Sequence, residues 1–370
     1  MTRLIVAAGG GGDAVAAAML DAALYGDEDQ AVILTYAWDR LLVDPVPGPR
    51  NPSDFTGLAP VTQLVWSVPA EARPIAPAGS TLPRLAAELP HTFALIDPQY
   101  GAEGMTRQLE ELVSHLEPTS IDLLDVGGDI LARGDEPTLK SPLADALTLA
   151  ACCQVNASIR LLVAGPGLDG ELPIEKMRGL LGPLVHTFTA KDAEPVSSVL
   201  EWHPSEATGM LAATARGVRG ICEVRDAGLP IPLTDDGPTV HEVDLDEALS
   251  RNELARAILS TTTLDEAEAR SREVCGYSEI DYERNKATWL KDQPAEEFDP
   301  GTVLSQLDAF EDEARSRGVT HTTFRRLTEA LSLPGSQREA LRALLMETRP
   351  ERYAAPLWDL TSTEAGATSP

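Results

Sequence analysis

The sequence predicts an α/β fold: a Rossmann-like, doubly wound and mostly parallel sheet followed by a helical C-terminal region. Three observations carry the prediction. Over the first two thirds of the chain, short apolar runs alternate with helical patterns, the signature of βαβ units. A glycine turn, Gly9-Gly10-Gly11-Gly12, joins the first apolar run to the first helical pattern. From about Asp244 onward the strand pattern gives way to consecutive helical stretches.

Taken in order, the expected strands are Leu4–Ala8, Ala31–Tyr36, Gln63–Val68, Thr92–Asp97, Ile121–Val126 and Arg160–Ala164. Asp13–Leu24 is Ala-rich helix material, and Met105, Leu109, Leu112, Val113 and Leu116 recur at helical spacing. Ser141 followed by Pro142 reads as an N-cap and first helical position for a helix over Ser141–Val155. The proline-rich stretches Asp44–Pro60 and Pro69–Pro90, the latter around a short helix near Leu82–Leu89, read as long loops, either binding loops or surface excursions. Beyond them, helices are expected at Glu247–Ser260, Leu264–Cys275, Ser278–Leu290, Gly301–Gly318, Thr322–Leu333 and Ser336–Glu347. This divides the chain into an α/β domain over 1–243, a helical region over 244–360 packed on it, and a frayed tail over 361–370.

Composition narrows the function classes. Against 30 Lys and Arg stand 58 Asp and Glu, a formal charge of −28. Such a chain repels phosphate backbones and anionic lipid, so neither nucleic acid nor membrane is an expected partner. No apolar run is long enough to span a bilayer. The four cysteines, Cys152, Cys153, Cys222 and Cys275, have no zinc-ligand spacing, so neither a zinc site nor a disulfide framework is expected. The glycines and Asp13 interrupt the opening apolar run and disfavour a signal peptide, making a cytoplasmic location the expectation.

Gly9, Gly11 and Ala14 fit the G-x-G-x-x-A form of a dinucleotide turn, and Gly10, Gly11 and Gly12 would let a ligand approach the backbone at a helix start. Asp13, however, puts a negative charge where a pyrophosphate would lie, and the nearest acidic residue after the second strand, Asp39, comes late, so NAD is not expected. Asp13 is either the helix N-cap or a carboxylate facing the ligand.

Carboxylates recur after successive strands: Asp13, Asp97, Asp125 with Asp129, and Asp169. In open α/β sheets ligands bind at these strand ends. Several carboxylates in one crevice repel unless a cation or proton lies between them, which points to Mg²⁺ or Mn²⁺ held by Asp97, Asp125 and Asp129. Glu136 and Ser141 lie on the loop expected to cover such a site. Asp145, in the first turn of the following helix, is explained equally well by the helix dipole.

The run Gly127-Gly128-Asp129-Ile130, followed by Ser141-Pro142-Leu143-Ala144-Asp145 and taken with Gly9–Asp13, resembles an uncharacterised prokaryotic family, domain of unknown function 1152. The likeness extends over most of the first 300 residues, including Ser278-Glu279-Ile280-Asp281-Tyr282-Glu283, and implies a Rossmann-like domain with no established activity. A looser likeness, confined to the Gly-Gly-Asp turn and the acidic residues around it, is to metal-dependent carbohydrate phosphatases and D-glutamate cyclases, an analogy of fold and site only.

Among the remaining candidates, His203 precedes a helix capped by Ser205 with Glu206 in its first turn, and is the histidine best placed for general acid–base work near neutral pH. Glu279 and Glu283 share one helix face, more simply read as solvated. Arg325, Arg326, Arg338 and Arg342 lie on two helices around Pro334-Gly335 that superficially look like a DNA-binding pair, but their acidic flanks favour a helical cap or a homo-oligomer contact. The function expected is a divalent-metal-dependent hydrolase for a small polar or phosphorylated metabolite. In it Asp129, His203 and Glu136 would be catalytic, and Gly10, Gly11, Gly12, Asp13, Ser141 and Glu206 would bind substrate. A non-enzymatic nucleotide or metabolite-binding module is the alternative, and a metal-dependent dehydratase or cyclase a weaker one.

Overall fold

The computed structural model describes residues 2–26, 30–225, 227–291 and 298–361. Five parallel strands form the centre of a nine-stranded sheet: β1 (Leu4–Ala7), β2 (Val32–Thr35), β3 (Thr92–Leu95), β4 (Ile121–Val126) and β5 (Arg160–Ala164). β1 pairs with both β2 and β4, β2 continues to β3, and β4 continues to β5. The chain therefore builds outward from β1 in one direction, then returns to start again on its other side with β4. The sheet is mixed, because Trp66–Ser67 runs antiparallel beside β3 and Thr239–Val243 antiparallel beside β5, followed at the two edges by Ala59–Pro60 and Leu184–Thr187.

Alternation along the strands decides how the faces are covered. Ile5 and Ala7 face one apolar core with α1 (Gly11–Tyr25), while Leu4 and Val6 face the opposite core with α2 (Gly101–Leu116) and α3 (Pro142–Gln154). The helix pattern Met105, Leu109 and Leu112 is wholly buried in that second core. The helices at Leu245–Arg251, Glu253–Ile258, Leu264–Cys275 and Glu279–Lys291 add Ala248, Leu254, Ile258, Ala267 and Ile280 to it.

Residues 298–361 carry a core of their own, with Val303, Leu307, Leu327, Leu341, Leu345 and Trp358. Its helices, Pro300–Ser316, Phe324–Ala330 and Arg338–Thr348, pack with a five-stranded sheet in the order Leu229–Leu233, Gly220–Val224, His321–Thr322, Leu357–Asp359, Tyr353–Ala354. The expectation of helices alone beyond Asp244 is thus corrected, because strands of two or three residues leave no period to read. Leu229–Leu233 hides its signal differently. Pro230 and Pro232 point outward from an edge strand, the position that tolerates residues without an N–H. Two further expectations change. Gln63–Val68 contributes only Trp66–Ser67, and the helix expected over Glu247–Ser260 breaks at Asn252, whose side chain accepts from Ala255 N and caps a second helix. Residues 362–370 of the expected tail lie outside the described residues.

Candidate functional site

β1 and β4 are neighbours whose chain continuations diverge, α1 to one face and α3 to the other, and this divergence opens a crevice at their carboxyl ends. Asp125 is the fifth residue of β4, Asp13 stands in the first turn of α1, and Asp145 in the first turn of α3. One carboxylate oxygen from each falls within 4.8 Å of the others. Asp129, from the short 3-10 turn after Gly128, and Asp169, from the loop after β5, line the same cavity.

The backbone bends to make room. Asp13 is not the N-cap: Gly10 holds that position at φ 120, and the Asp13 carboxylate reaches back to accept from Gly9 N at 2.7 Å. A Cβ on Gly9 would lie 3.0 Å from Asp13 Oδ2 and 3.2 Å from Asp145 Oδ1, so glycine there leaves space for the carboxylates. Gly127 is more constrained. It sits at φ 118, and a Cβ would come 2.3 Å from Asp169 Cγ.

The electrostatics follow from burial without neutralisation. Asp125 Oδ2, Asp145 Oδ1 and Asp169 Oδ2 are buried oxygens with no hydrogen-bond partner among the described residues. Burial, then the charge of Asp13, pushes Asp125 well above the ordinary carboxylate range; Asp145 is pushed up by burial and then by Asp125. Asp129 rises through burial and the charges of Asp145 and Glu171. Burial lifts Asp13 to about 7 despite the bond from Gly9, and Asp169 to about 7 with help from Glu171. Of the arginines lining the cavity, Arg40 opposes by its charge the rise of Asp13 and Glu279, while Arg225 is engaged, donating to Glu171 Oε1 at 2.7 Å and to the Asp169 carbonyl at 2.8 Å. Arg225 does so from φ 62, a left-handed conformation that costs a non-glycine residue on the order of 1 kcal/mol.

The expected site residues divide. Gly11, Gly12, Asp13, Asp125, Asp129, Ser141, His203 and Glu206 all line the cavity. Gly10 lies behind it, shaping the turn. Asp97 is elsewhere: it caps the turn after β3, accepting from Gln99 N at 2.9 Å, two strands from β1 and outside the cavity wall. Glu136 is also outside, its carboxylate spent on Arg133 N and Gly134 N, which folds the covering loop. Ser141 is not the expected side-chain cap of α3. Its hydroxyl donates to Glu171 Oε1 at 2.7 Å, and the same carboxylate accepts from Lys140 N and Ser141 N.

His203 changes role. Its Nδ1 accepts from Ser205 N at 3.3 Å, which leaves the proton on Nε2, a buried nitrogen without a hydrogen-bond partner among the described residues. Burial, with Arg338 nearby, pushes the imidazole down to about 3, so it stays neutral where proton exchange near pH 7 was expected. It offers the cavity a neutral N–H donor. Glu206 lines the wall, but its carboxylate serves Arg225 N and the Thr323 hydroxyl.

Two residues given structural readings belong to the site. Asp145, ascribed to the helix dipole, completes the carboxylate trio. Glu279, ascribed to a solvated face, is buried, accepts from Leu143 N at 2.9 Å, lines the cavity, and is pushed up to about 8 by burial and then by Glu283. Glu283 is buried too, accepting from Trp38 Nε1 and Gly48 N. Coincidence of Asp145 with Gly9-x-x-x-Asp13 at a neighbouring helix start was the available signal, though nothing local distinguishes it from a dipole partner.

These are the residues of the family likeness: Gly9–Asp13, Gly127–Ile130, Ser141–Asp145 and Ser278–Glu283 meet around one cavity. A family model described as Protein of unknown function (DUF1152) matches residues 4–287. The chain belongs to that family. The DUF1152 match takes in every carboxylate of the cavity and ends before the separately cored residues 298–361. No curated protein and no solved structure matches the chain.

Proposed function

We propose that the protein is a divalent-cation-dependent enzyme, of hydrolase type, acting on a small polar or phosphorylated metabolite at the carboxyl ends of a doubly wound, Rossmann-like sheet. The observation that carries this reading is the convergence of Asp13, Asp125 and Asp145 within 4.8 Å, with buried oxygens of Asp125 and Asp145 left without partners. A hard cation is the economical neutraliser of three carboxylates, and oxygen donors suit Mg²⁺ or Mn²⁺ better than softer metals. Asp13, Asp125 and Asp145 would hold it, which replaces Asp97 and Asp129 in the set expected from sequence. A bound divalent ion supplies Lewis-acid polarisation of a substrate oxygen and acidifies a water.

The chain's own groups have separate tasks. Gly11 and Gly12 bring the substrate against the backbone at the start of α1. His203 donates from Nε2 to a substrate oxygen. Asp129, pushed upward by burial and then by the charge of Asp145, stands beside Asp125 as the candidate proton donor. The alternatives of a binding-only module and of a dehydratase or cyclase share the same residues and differ in turnover alone.

The test is calorimetric titration of Mg²⁺ and Mn²⁺ into wild type, Asp125→Asn and Asp145→Asn. Binding to wild type that weakens by roughly 100-fold in each variant, with the circular dichroism unchanged, is expected for loss of one of three charged ligands. Absence of Mn²⁺ and Mg²⁺ binding by wild type would sink the reading. Given binding, turnover of sugar phosphates separates the enzyme from the binding module.

A further inference from the structure

Two glycines of the opening turn face different groups of the cavity. Beside Gly9 stand the carboxylates of Asp13 and Asp145, whereas a Cβ on Gly11 would lie 3.4 Å from His203 Nε2, 3.7 Å from Asp39 Oδ1 and 3.0 Å from Thr81 Oγ1. Gly11 is the first residue of α1, and no left-handed backbone there demands a glycine. What its missing side chain leaves is room. Gly11, Asp39 and His203 all line the cavity.

The two side chains are chemically complementary. His203 Nε2 carries the imidazole's proton and donates to nothing among the described residues. Asp39 is buried and held from behind, since Thr81 N donates to its Oδ2 at 3.0 Å and the Thr81 hydroxyl to its Oδ1 at 2.8 Å. Each carboxylate oxygen can accept a second hydrogen bond, and Oδ1 is the one beside Gly11. Burial lifts the Asp39 carboxyl to about 6, so at slightly alkaline pH it is ionised and accepts only. Thr81 belongs to the proline-rich stretch Pro69–Pro90, which thereby fixes a group of the cavity wall. A buried donor and a buried carboxylate facing one space are costly to leave unmet.

We propose that the Gly11 face of the cavity is a hydroxyl-recognition subsite for a small sugar-like polyol, one of whose hydroxyls accepts from His203 Nε2 and donates to Asp39 Oδ1. A hydroxyl satisfies both groups from a single atom. An ammonium offers His203 no acceptor, and a phosphate or carboxylate oxygen meets the charge of Asp39 like for like. The cavity's volume of about 130 Å³ is room for roughly ten waters, the bulk of a monosaccharide. Gly9 and Gly11, two residues apart, are separated by at most about 7 Å, a span that the oxygens of one monosaccharide cover. That the same ligand also meets the cation rests on the reading above; the hydroxyl subsite does not.

The experiment is nitrogen-15 NMR of the histidine-labelled full chain in EDTA at slightly alkaline pH, with His203→Phe assigning the His203 signals. The probes are D-ribose, D-glucose and glycerol, with 1,4-dioxane and inorganic phosphate in parallel. At least one polyol should move the Nε2 resonance saturably. In Gly11→Ala, whose methyl fills the space while alanine favours the helix, that polyol should bind at least about tenfold more weakly. Dioxane, which accepts but cannot donate, and phosphate should both bind more weakly than the polyol. Should Gly11→Ala unfold, Asp39→Asn should give the same loss. No movement by any polyol at decimolar concentration overturns the subsite and leaves water as its occupant. Unchanged affinity in the variant, or a proton on Nδ1 of His203, overturns it as well. Dioxane or phosphate binding as tightly as the polyols overturns the hydroxyl assignment. Because EDTA removes any cation, these results are independent of the Mn²⁺ titration. With Mn²⁺ present the same polyol should bind more tightly, and equal or weaker binding overturns the sharing of one ligand alone.

Discussion

Buried carboxylates occur in two settings in this protein, and only one is neutralised. In the C-terminal unit Glu311 meets Arg352, Arg315 at 3.5 Å and Arg349 at 3.6 Å, and also accepts from Trp358 Nε1. Glu223, fully buried, lies between Arg317 and Arg326. In the crevice beside β1 and β4, Asp125 and Asp145 are as deeply buried but face one another and Asp13. The chain evidently has arginines to place against buried acids. Among the described residues none forms an ion pair with this trio, and the only arginine whose charge acts on Asp13 there is Arg40, which lines the same cavity; this contrast is what the proposed cation reading rests on.

The largest expected effect tests the neutralised setting. Glu311→Gln leaves three guanidinium groups around an uncharged amide, and urea unfolding should show a loss of about 3–5 kcal/mol. A loss below about 1 kcal/mol would erase the contrast between the two regions. Next, Mn²⁺ at 100 times its dissociation constant should stabilise wild type by about 2.7 kcal/mol in thermal unfolding, because only the folded chain assembles the three ligands. Smaller and opposite in sign to Glu311→Gln, Asp125→Asn should raise the stability of the chelated protein by about 1 kcal/mol at neutral pH, since removing a charge here relieves repulsion. A destabilised Asp125→Asn would mean that the trio is held together by bonds other than those described.

The last expected effect is a slope with pH, not a single free energy. Asp13 and Asp169 are lifted from 3.8 to about 7 in the folded chain, so between those values the folded state binds more protons than the unfolded one. Stability of the chelated protein should therefore fall as pH rises from about 4 to about 7, and go on falling to at least about 8, where Glu279 titrates. Stabilisation by Mn²⁺ should grow over the same window, because the cation competes with those protons. A flat profile in EDTA would remove the electrostatic basis of the comparison.

Much of the scaffold was legible because its signals are local. Ile121–Val126 and Arg160–Ala164 are apolar runs bounded by turns, and both form strands with those limits. The Gly9–Gly12 turn, the Gly127-Gly128 turn and the Ser205 cap are likewise encoded within a few residues. Asp125, Asp129 and Asp13 were legible as carboxylates at strand ends. Asp145 and Glu279 were not, since a helix start and an i,i+4 acidic pair look the same whether they face water or a cavity. Asp97 misled for the matching reason: strand-end position does not reveal which side of the sheet's reversal a strand occupies, and β3 lies two places from the crevice. The arginines of the last two helices were expected to serve a helical cap or a homo-oligomer contact, and nothing local showed that Arg338 would meet Trp202, or Arg342 the rings of Phe324 and Tyr353.

Glu171 is a single carboxylate with two allegiances. It fastens Lys140 and Ser141, the last residues before α3, and it also holds the guanidinium of Arg225. An anion that recruited Arg225 would compete with Glu171 for it, and Glu171, together with Glu279 on Leu143 N, seats the helix carrying Asp145. Under the proposed reading, ligand entry on one wall and the spacing of the three carboxylates on the other would be geared together through one hinge pin, so that loosening Arg225 would retune the opposite side of the cavity without touching it.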